Sequence, residues 1–291
     1  MKKPFKKGMG SSIAPYYKTA VAYVGPGDIV SGASAWVSPA RAYSAAFAAG
    51  GTAIMDLLDQ AGANPITISI LSTGFANLAA IAAWVTANSV STIKVTKLYD
   101  QTGNTKHFTN ATLGTMPVLT LSALNGLPGI TSLNASGTVL TSPALTITDL
   151  TMVAVFARTG NLAAINSFLA NQNVATFIGS GATGNTSAMD NGTTVVTQAA
   201  TDSVFHSVIG VLSSVGGASA MNTDGTEITA QSPGTSGFSA PNNARLCRSN
   251  TASSVSGTIM EAGIWPALFT TGAGQTSLMN ANMHGSNGYN F

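Results

Sequence analysis

Side chains able to move protons near neutral pH are few here: ten carboxylates and three histidines among 291 residues. Two carboxyl groups placed roughly 5 to 10 Å apart suffice for glycoside hydrolysis, so the composition admits that chemistry. Half of the carboxylates stand in turn-like contexts. Asp56, Asp59, Asp190, Asp202 and Asp224 lie in polar segments, where a carboxylate is solvated or shapes the backbone. Asp100 differs, because Tyr99, Asp100, Gln101, Gly103 and Asn104 form a compact polar turn straight after an apolar run. An Asx turn closing a hairpin explains that group better than ligand binding does. Asp100, Gln101, Asn104 and Asp190 are nonetheless the candidate ligand-contacting residues. Glu261 lies inside an apolar run and either points outward or is buried against a base such as Arg158 or Arg41.

Other motifs lack their context. Gly179, Gly181 and Gly184 match GxGxxG after an apolar run, but turn and strand residues follow where a dinucleotide site requires a helix. A hairpin loop is the expected structure. His107, His206 and His284 are far apart and belong to no metal-binding spacing, so no metal or cofactor is expected. No GxSxG elbow supports a serine hydrolase. The single cysteine, Cys247, excludes an internal disulfide framework and reads as a small buried hydrophobe.

The elements that must position these residues are mostly strands. Trp36 to Ala49 predicts a short helix ended by Gly50 and Gly51, and extended chain follows from Ile54 to Ile70. Phe75 to Ala87 predicts a second helix, with Phe75, Leu78, Ile81, Ala82 and Val85 recurring at three and four. Beyond residue 92 short β-branched runs alternate with turns, the clearest being IKVTKLY, PVLTL, ALTIT, LTMVAVFA, VATFIG, TTVVTQ, HSVIGVLS and TIMEAGIW. That pattern predicts an all-β sandwich or jelly roll. Asp190-Asn191-Gly192 and Asp224-Gly225 are hairpin turns. Trp36, Trp84 and Trp265 sit in apolar contexts that suit core packing better than a glycan-stacking platform.

Only 8% of residues are charged, about a third of the usual share. A surface of small polar residues lacks the charge that keeps free proteins apart, which suggests burial against other subunits and a homo-oligomer. The basic residues are uneven: Lys2, Lys3, Lys6, Lys7 and Lys18 precede any acid, leaving seven bases against ten acids beyond. Residues 1–32 thus read as a basic, Gly- and Pro-containing arm, and 33–291 as the sandwich. Lys2, Lys3, Lys6 and Lys7, with Tyr16, Tyr17 and Tyr23, would anchor that arm to a protein partner in preference to nucleic acid. Gly8, Gly10, Ser11, Ser12 and Pro15 interrupt any secretion signal, and Phe75 to Val90 is too short to span a bilayer. A soluble chain made in the cytoplasm is expected, with no membrane partner.

KLYDQTGNTKHFTNAT at 97–112 resembles a segment recurring in concanavalin A-like phage proteins and in the catalytic domain of α-L-arabinofuranosidase B. GPGDIVSGASAW at 25–36, ARAYSAAFA at 40–48, NGLPGI at 125–130 and GTIMEAGIWPALFT at 257–270 extend the resemblance. It implies a concanavalin A-like two-sheet jelly roll with one or two short helices. The arabinofuranosidase pattern carries two catalytic carboxylates. Here the first position offers only the shorter Asp190, and RLCRSNTASS at 245–254, matching the second, has none. The resemblance therefore implies a structural protein of a phage particle, such as a capsid decoration protein, head fibre or tail-associated subunit, and not an enzyme. Its partners would be other virion proteins and a host surface glycan, and its place the virion. The alternatives are a glycosidase of the arabinofuranosidase B type or a carbohydrate-binding module.

Overall fold

The computed structural model describes residues 22–132, 137–159, 166–172, 176–181, 186–247 and 256–291. In chain order its strands are β1 (Ala35–Val37), β2 (Ala53–Leu58), β3 (Ile66–Ser69), β4 (Lys94–Leu98), β5 (Phe108–Thr109), β6 (Val118–Leu124), β7 (Leu127–Ser132), β8 (Leu140–Ile147) and β9 (Leu150–Arg158). Then come β10 (Asn166–Asn171), β11 (Thr176–Ser180), β12 (Thr186–Asn191), β13 (Val196–Ala199), β14 (Phe205–Leu212), β15 (Ser219–Thr223), β16 (Thr226–Gln231), β17 (Phe238–Leu246) and β18 (Gly257–Trp265). Helices are α1 (Pro26–Ile29), α2 (Ala45–Ala49), α3 (Leu78–Ala87) and α4 (Gln275–His284).

The strands pair antiparallel into two layers. One runs β16–β15–β14–β9–β18, with β7 and β1 sharing the far edge of β18 and β6 beyond β7. The other runs β13–β12–β11–β10–β17–β8–β5–β4–β2–β3. A bridge between Lys94 and Val118 joins them. This is the expected all-β jelly-roll sandwich. Its turns follow backbone sterics: Asp224 and Gly225 have φ of 50° and 86°, the left-handed pair that a two-residue hairpin turn requires.

Between the layers lies the main core, where Met152, Ala154 and Phe156 of β9 meet Leu169, Ile178 and Met189 of the other sheet. Phe156 stacks on Phe168 with ring centroids 3.9 Å apart. The intervening β9 residues, Val153 and Val155, belong to a second core on the outer face of the same sheet. A strand that reads as an unbroken apolar run is thus buried on both faces. Trp36, Tyr43 and Trp265 share this second core with Met279 and Met283 of α4. All three tryptophans are buried, as expected.

Two helix expectations are corrected. The Trp36 to Ala49 run is helical only over α2, because Trp36 and Val37 pair with Gly263 and Ala262 of β18; Ser44 caps α2 by accepting from the Phe47 amide at 3.2 Å. And α4 escaped detection. Its sequence is polar, and burial of Met279 and Met283, four apart, makes it a helix through packing and not propensity.

The second core also encloses charge. Arg41 and Glu261, both with fully buried side chains, form a two-pronged ion pair at 2.6 and 2.8 Å. Arg41 Nη1 donates further to Asn282 and Asn287, and Tyr289 donates to Glu261 at 2.9 Å. Glu261 is therefore inward, and its base is Arg41.

Candidate functional site

Alternation along β12 sets the direction of Asp190. Met189 enters the main core, so Asp190 and Ala188 point to the opposite, outer face of their sheet. There Asp190 stands across from Phe177 of β11, Phe177 from Ala170 of β10, and Ala170 from Arg245 of β17. Ala170, Phe177 and Ala188 form a small buried apolar cluster with Val195 against it. Asp190 itself is 6% exposed, and its Oδ1 accepts the Gly192 amide at 2.7 Å and the Thr193 amide at 3.2 Å. Burial raises its carboxyl above the ordinary range, and the amides of Gly192, Thr193 and Asn191 offset only part of that effect. A carboxyl that keeps its proton to higher pH, on a rigid strand, is suited to general acid or base work.

The backbone around it is clamped. The Pro233 carbonyl accepts the amides of Asn191, Thr193 and Thr194 at 3.0 to 3.2 Å, and the Asn191 side chain accepts the Gly237 amide at 2.6 Å. Gly234 has φ of 117°, and a Cβ there would lie 2.4 Å from the Asn191 carbonyl oxygen, so only glycine fits. Away from Asp190 the row continues through Thr141, Thr109, Lys97 and Asp56, and the face turns from apolar to polar. Asp56 accepts from Thr67 at 2.7 Å and from Tyr99 at 3.0 Å.

Asp100 lies elsewhere, as an internal brace. Its oxygens accept the amides of Trp36, Thr102 and Lys106, at 3.0 to 3.1 Å, and the Thr102 hydroxyl at 2.8 Å. Gln101 accepts the Tyr43 amide at 2.9 Å and donates to the Arg41 carbonyl at 3.3 Å. Asn104 donates to the Ala33 carbonyl at 2.9 Å and borders a surface cavity of about 460 Å³ with Ser34, Lys106 and Thr146. The Asx turn thus splices the segment around Trp36 to the 100–107 loop. Asp100→Asn, which turns an amide hydrogen toward a backbone N–H, is expected to cost about 1 to 3 kcal/mol in urea unfolding. A loss below about 0.5 kcal/mol would contradict the bracing role.

Of the arm residues, Lys2, Lys3, Lys6, Lys7, Tyr16 and Tyr17 lie outside the described residues. Tyr23 does not extend toward a partner. Its hydroxyl donates to the Ala42 carbonyl at 2.5 Å and its ring packs edge-on to Phe75 in this chain's own core. Residues 26–29 form α1, and the Val30 carbonyl accepts from Trp265 at 2.9 Å, so this part of the expected arm is packed on the sandwich. Cys247 is buried and its thiol is pushed up to about 12 by burial. Asp202 pairs with Arg158, which also donates to the Gly181 carbonyl.

Sequence reasoning read Asp190 as a turn former while keeping it among the candidate ligand-contacting residues, and it missed the cross-strand neighbour Phe177. The only available signal was strand alternation around Met189, which TSAMDN barely shows.

No family model matches the chain, and no curated protein matches it. Solved structures do. A GH54 α-L-arabinofuranosidase soaked with a cyclic sulfate inhibitor is 17% identical, with a TM-score of 0.66 over 89% of this chain and 65% of that one. A variant of a GH54 α-L-arabinofuranosidase soaked with 4-nitrophenyl α-L-arabinofuranoside is 18% identical, with the same TM-score and coverage. An arabinofuranosidase complexed with arabinofuranosyl-α-1,2-xylobiose is 20% identical, with a TM-score of 0.58 over 89% of this chain and 64% of that one. The chain thus spans about 65% of the length of the first two neighbours. These findings correct two expectations, that the chain is a structural subunit of a phage particle and that it is not an enzyme: these three neighbours are arabinofuranosidases. Likeness at this identity establishes a shared fold, the β-sandwich of arabinofuranosidases.

Proposed function

We propose that this chain is a glycoside hydrolase of the arabinofuranosidase type, with Asp190 as a carboxyl of its reacting face. The observation that carries the reading is Asp190 itself: a buried carboxyl held by two amides at the end of a strand and raised above the ordinary carboxylate range by burial. The shared sandwich supports the choice of arabinofuranosides as substrate. Hydrolysis of 4-nitrophenyl α-L-arabinofuranoside by the purified full chain, followed as release of 4-nitrophenolate, is the expected result. No release from this substrate, and no arabinose from arabinose-bearing polysaccharides, would end the hydrolase reading.

One observation favours a second reading, glycan binding without turnover. The segment 245–254, which the resemblance matches to the second catalytic carboxylate, contains no Asp or Glu. Retention on immobilised arabinose-bearing polysaccharide without sugar release would select this reading, and absence of both would remove the two together.

A further inference from the structure

At the tip of the β15–β16 hairpin Asp224 gathers groups from β14 and α4. Its Oδ1 accepts the Ser207 amide of β14 at 2.8 Å, and its Oδ2 is hydrogen bonded to His206 Nδ1. His284, in the last turn of α4, places Nε2 at 3.5 Å from Asp224 Oδ1 and 2.9 Å from Ser207 Oγ. The other ring nitrogens also meet acceptors: His206 Nε2 lies 2.8 Å from the Thr201 carbonyl, and His284 Nδ1 lies 2.8 Å from the Phe291 main-chain oxygen. Ser207 Oγ has acceptors for its single proton in Asn280 Oδ1 at 2.6 Å and Asp224 Oδ1 at 3.3 Å, so toward His284 it presents lone pairs.

A neutral imidazole carries one N–H and can donate to only one of two acceptors, whereas an imidazolium donates to both. Each ring therefore fits its surroundings best when protonated. His284 is helped further by the C-terminal end of α4, which favours positive charge. The other charged groups acting here are Asp202, held by Arg158, and Glu227 of β16, which accepts from Thr276 and the Gly272 amide at the start of α4.

We propose that Asp224, His206 and His284 form a pH-dependent latch that holds α4 and residues 285–291 against β14, closed while both imidazoles are protonated and loosened when they lose their protons. Residues 285–291 follow His284, whose ring packs on Phe291 with centroids 4.2 Å apart. Titration directions agree with the geometry. The Asp224 contact raises His284 despite burial and the neighbouring His206 charge; burial lowers His206, but its bonds to Asp224 and Thr201 more than reverse this. Asp224 is disfavoured by burial yet held well below the usual carboxylate range by the bonds from His206 and His284.

The signs fix the window. Histidines raised in the folded state contribute fully below about pH 6.5 and lose that contribution as pH rises through their folded values. The lowered Asp224 contributes above about pH 3.9 and fails only as pH falls through its folded value. The latch is thus closed between roughly pH 4 and 6.5 and opens on the alkaline side.

Hydrogen exchange on the full chain, corrected for intrinsic rates, tests this at pH 6 and pH 8.5. Amides of residues 275–291 should exchange at least about tenfold faster at pH 8.5, the effect of losing one hydrogen bond to a charged group. Those of β9 and β18 should not change. Ring titration by NMR in the wild-type chain should place both histidines above about 6.5. Asp224→Asn should return them toward that value and abolish the pH dependence of exchange. Equal protection at the two pH values, loosening spread over the whole sandwich, or histidines titrating at or below the ordinary value would each overturn the latch.

Discussion

Replacing Glu261 with alanine is expected to destabilise the fold by about 3 to 5 kcal/mol, because it leaves the Arg41 guanidinium buried without its counter-charge. The two side chains are wholly inaccessible to solvent, so water cannot substitute for the lost carboxylate. Arg41 would keep the neutral oxygens of Asn282 and Asn287 and the face of the Tyr289 ring, none of which carries a counter-charge, and the Tyr289 hydroxyl would lose one acceptor. The urea midpoint should fall at unchanged slope, as for a two-state loss of stability. Arg41→Met combined with Glu261→Leu should recover most of the loss, since exchanging both partners for apolar groups removes the orphaned charge. A single variant costing less than about 1 kcal/mol would show that the pair does not hold the N-terminal and C-terminal segments together.

On the proposed hydrolase reading, Asp190→Asn should lower turnover by about a hundredfold to ten-thousandfold while leaving the fold no less stable. The asparagine oxygen can still accept from Gly192 and Thr193, so the turn keeps its hydrogen bonds. What disappears is the capacity to exchange a proton or carry charge. The wild-type carboxyl is raised by burial in the folded state, so its ionisation opposes folding, and that penalty grows as pH rises from about 3.9 through the folded value. The variant, free of it, should melt at or above the wild type at pH 7, with the difference vanishing below about pH 3.9. Unchanged hydrolysis by a folded Asp190→Asn chain would remove Asp190 from the reaction.

The sequence by itself determined the all-β class, the main strands, the helix at α3 and the hairpin turns, because these are local. Alternation of apolar residues follows from the two-residue period of a strand, and Asp-Gly pairs follow from the cost of positive φ. It also determined that the tryptophans are internal and that Asp100 is a turn residue. Tertiary structure decided the rest. The partner of Glu261 lies 220 positions away, and two candidate bases were equally compatible with local context. Which face Asp190 occupies depends on the register of β11, β12 and β10, since a one-residue slip would turn it into the core. The helix α4 exists because an exposed sheet face offers Met279 and Met283 a place to bury, a condition absent from its own ten residues. Likewise His206 and His284, solitary in sequence, acquire a shared proton chemistry only because a hairpin tip and a helix end meet at Asp224.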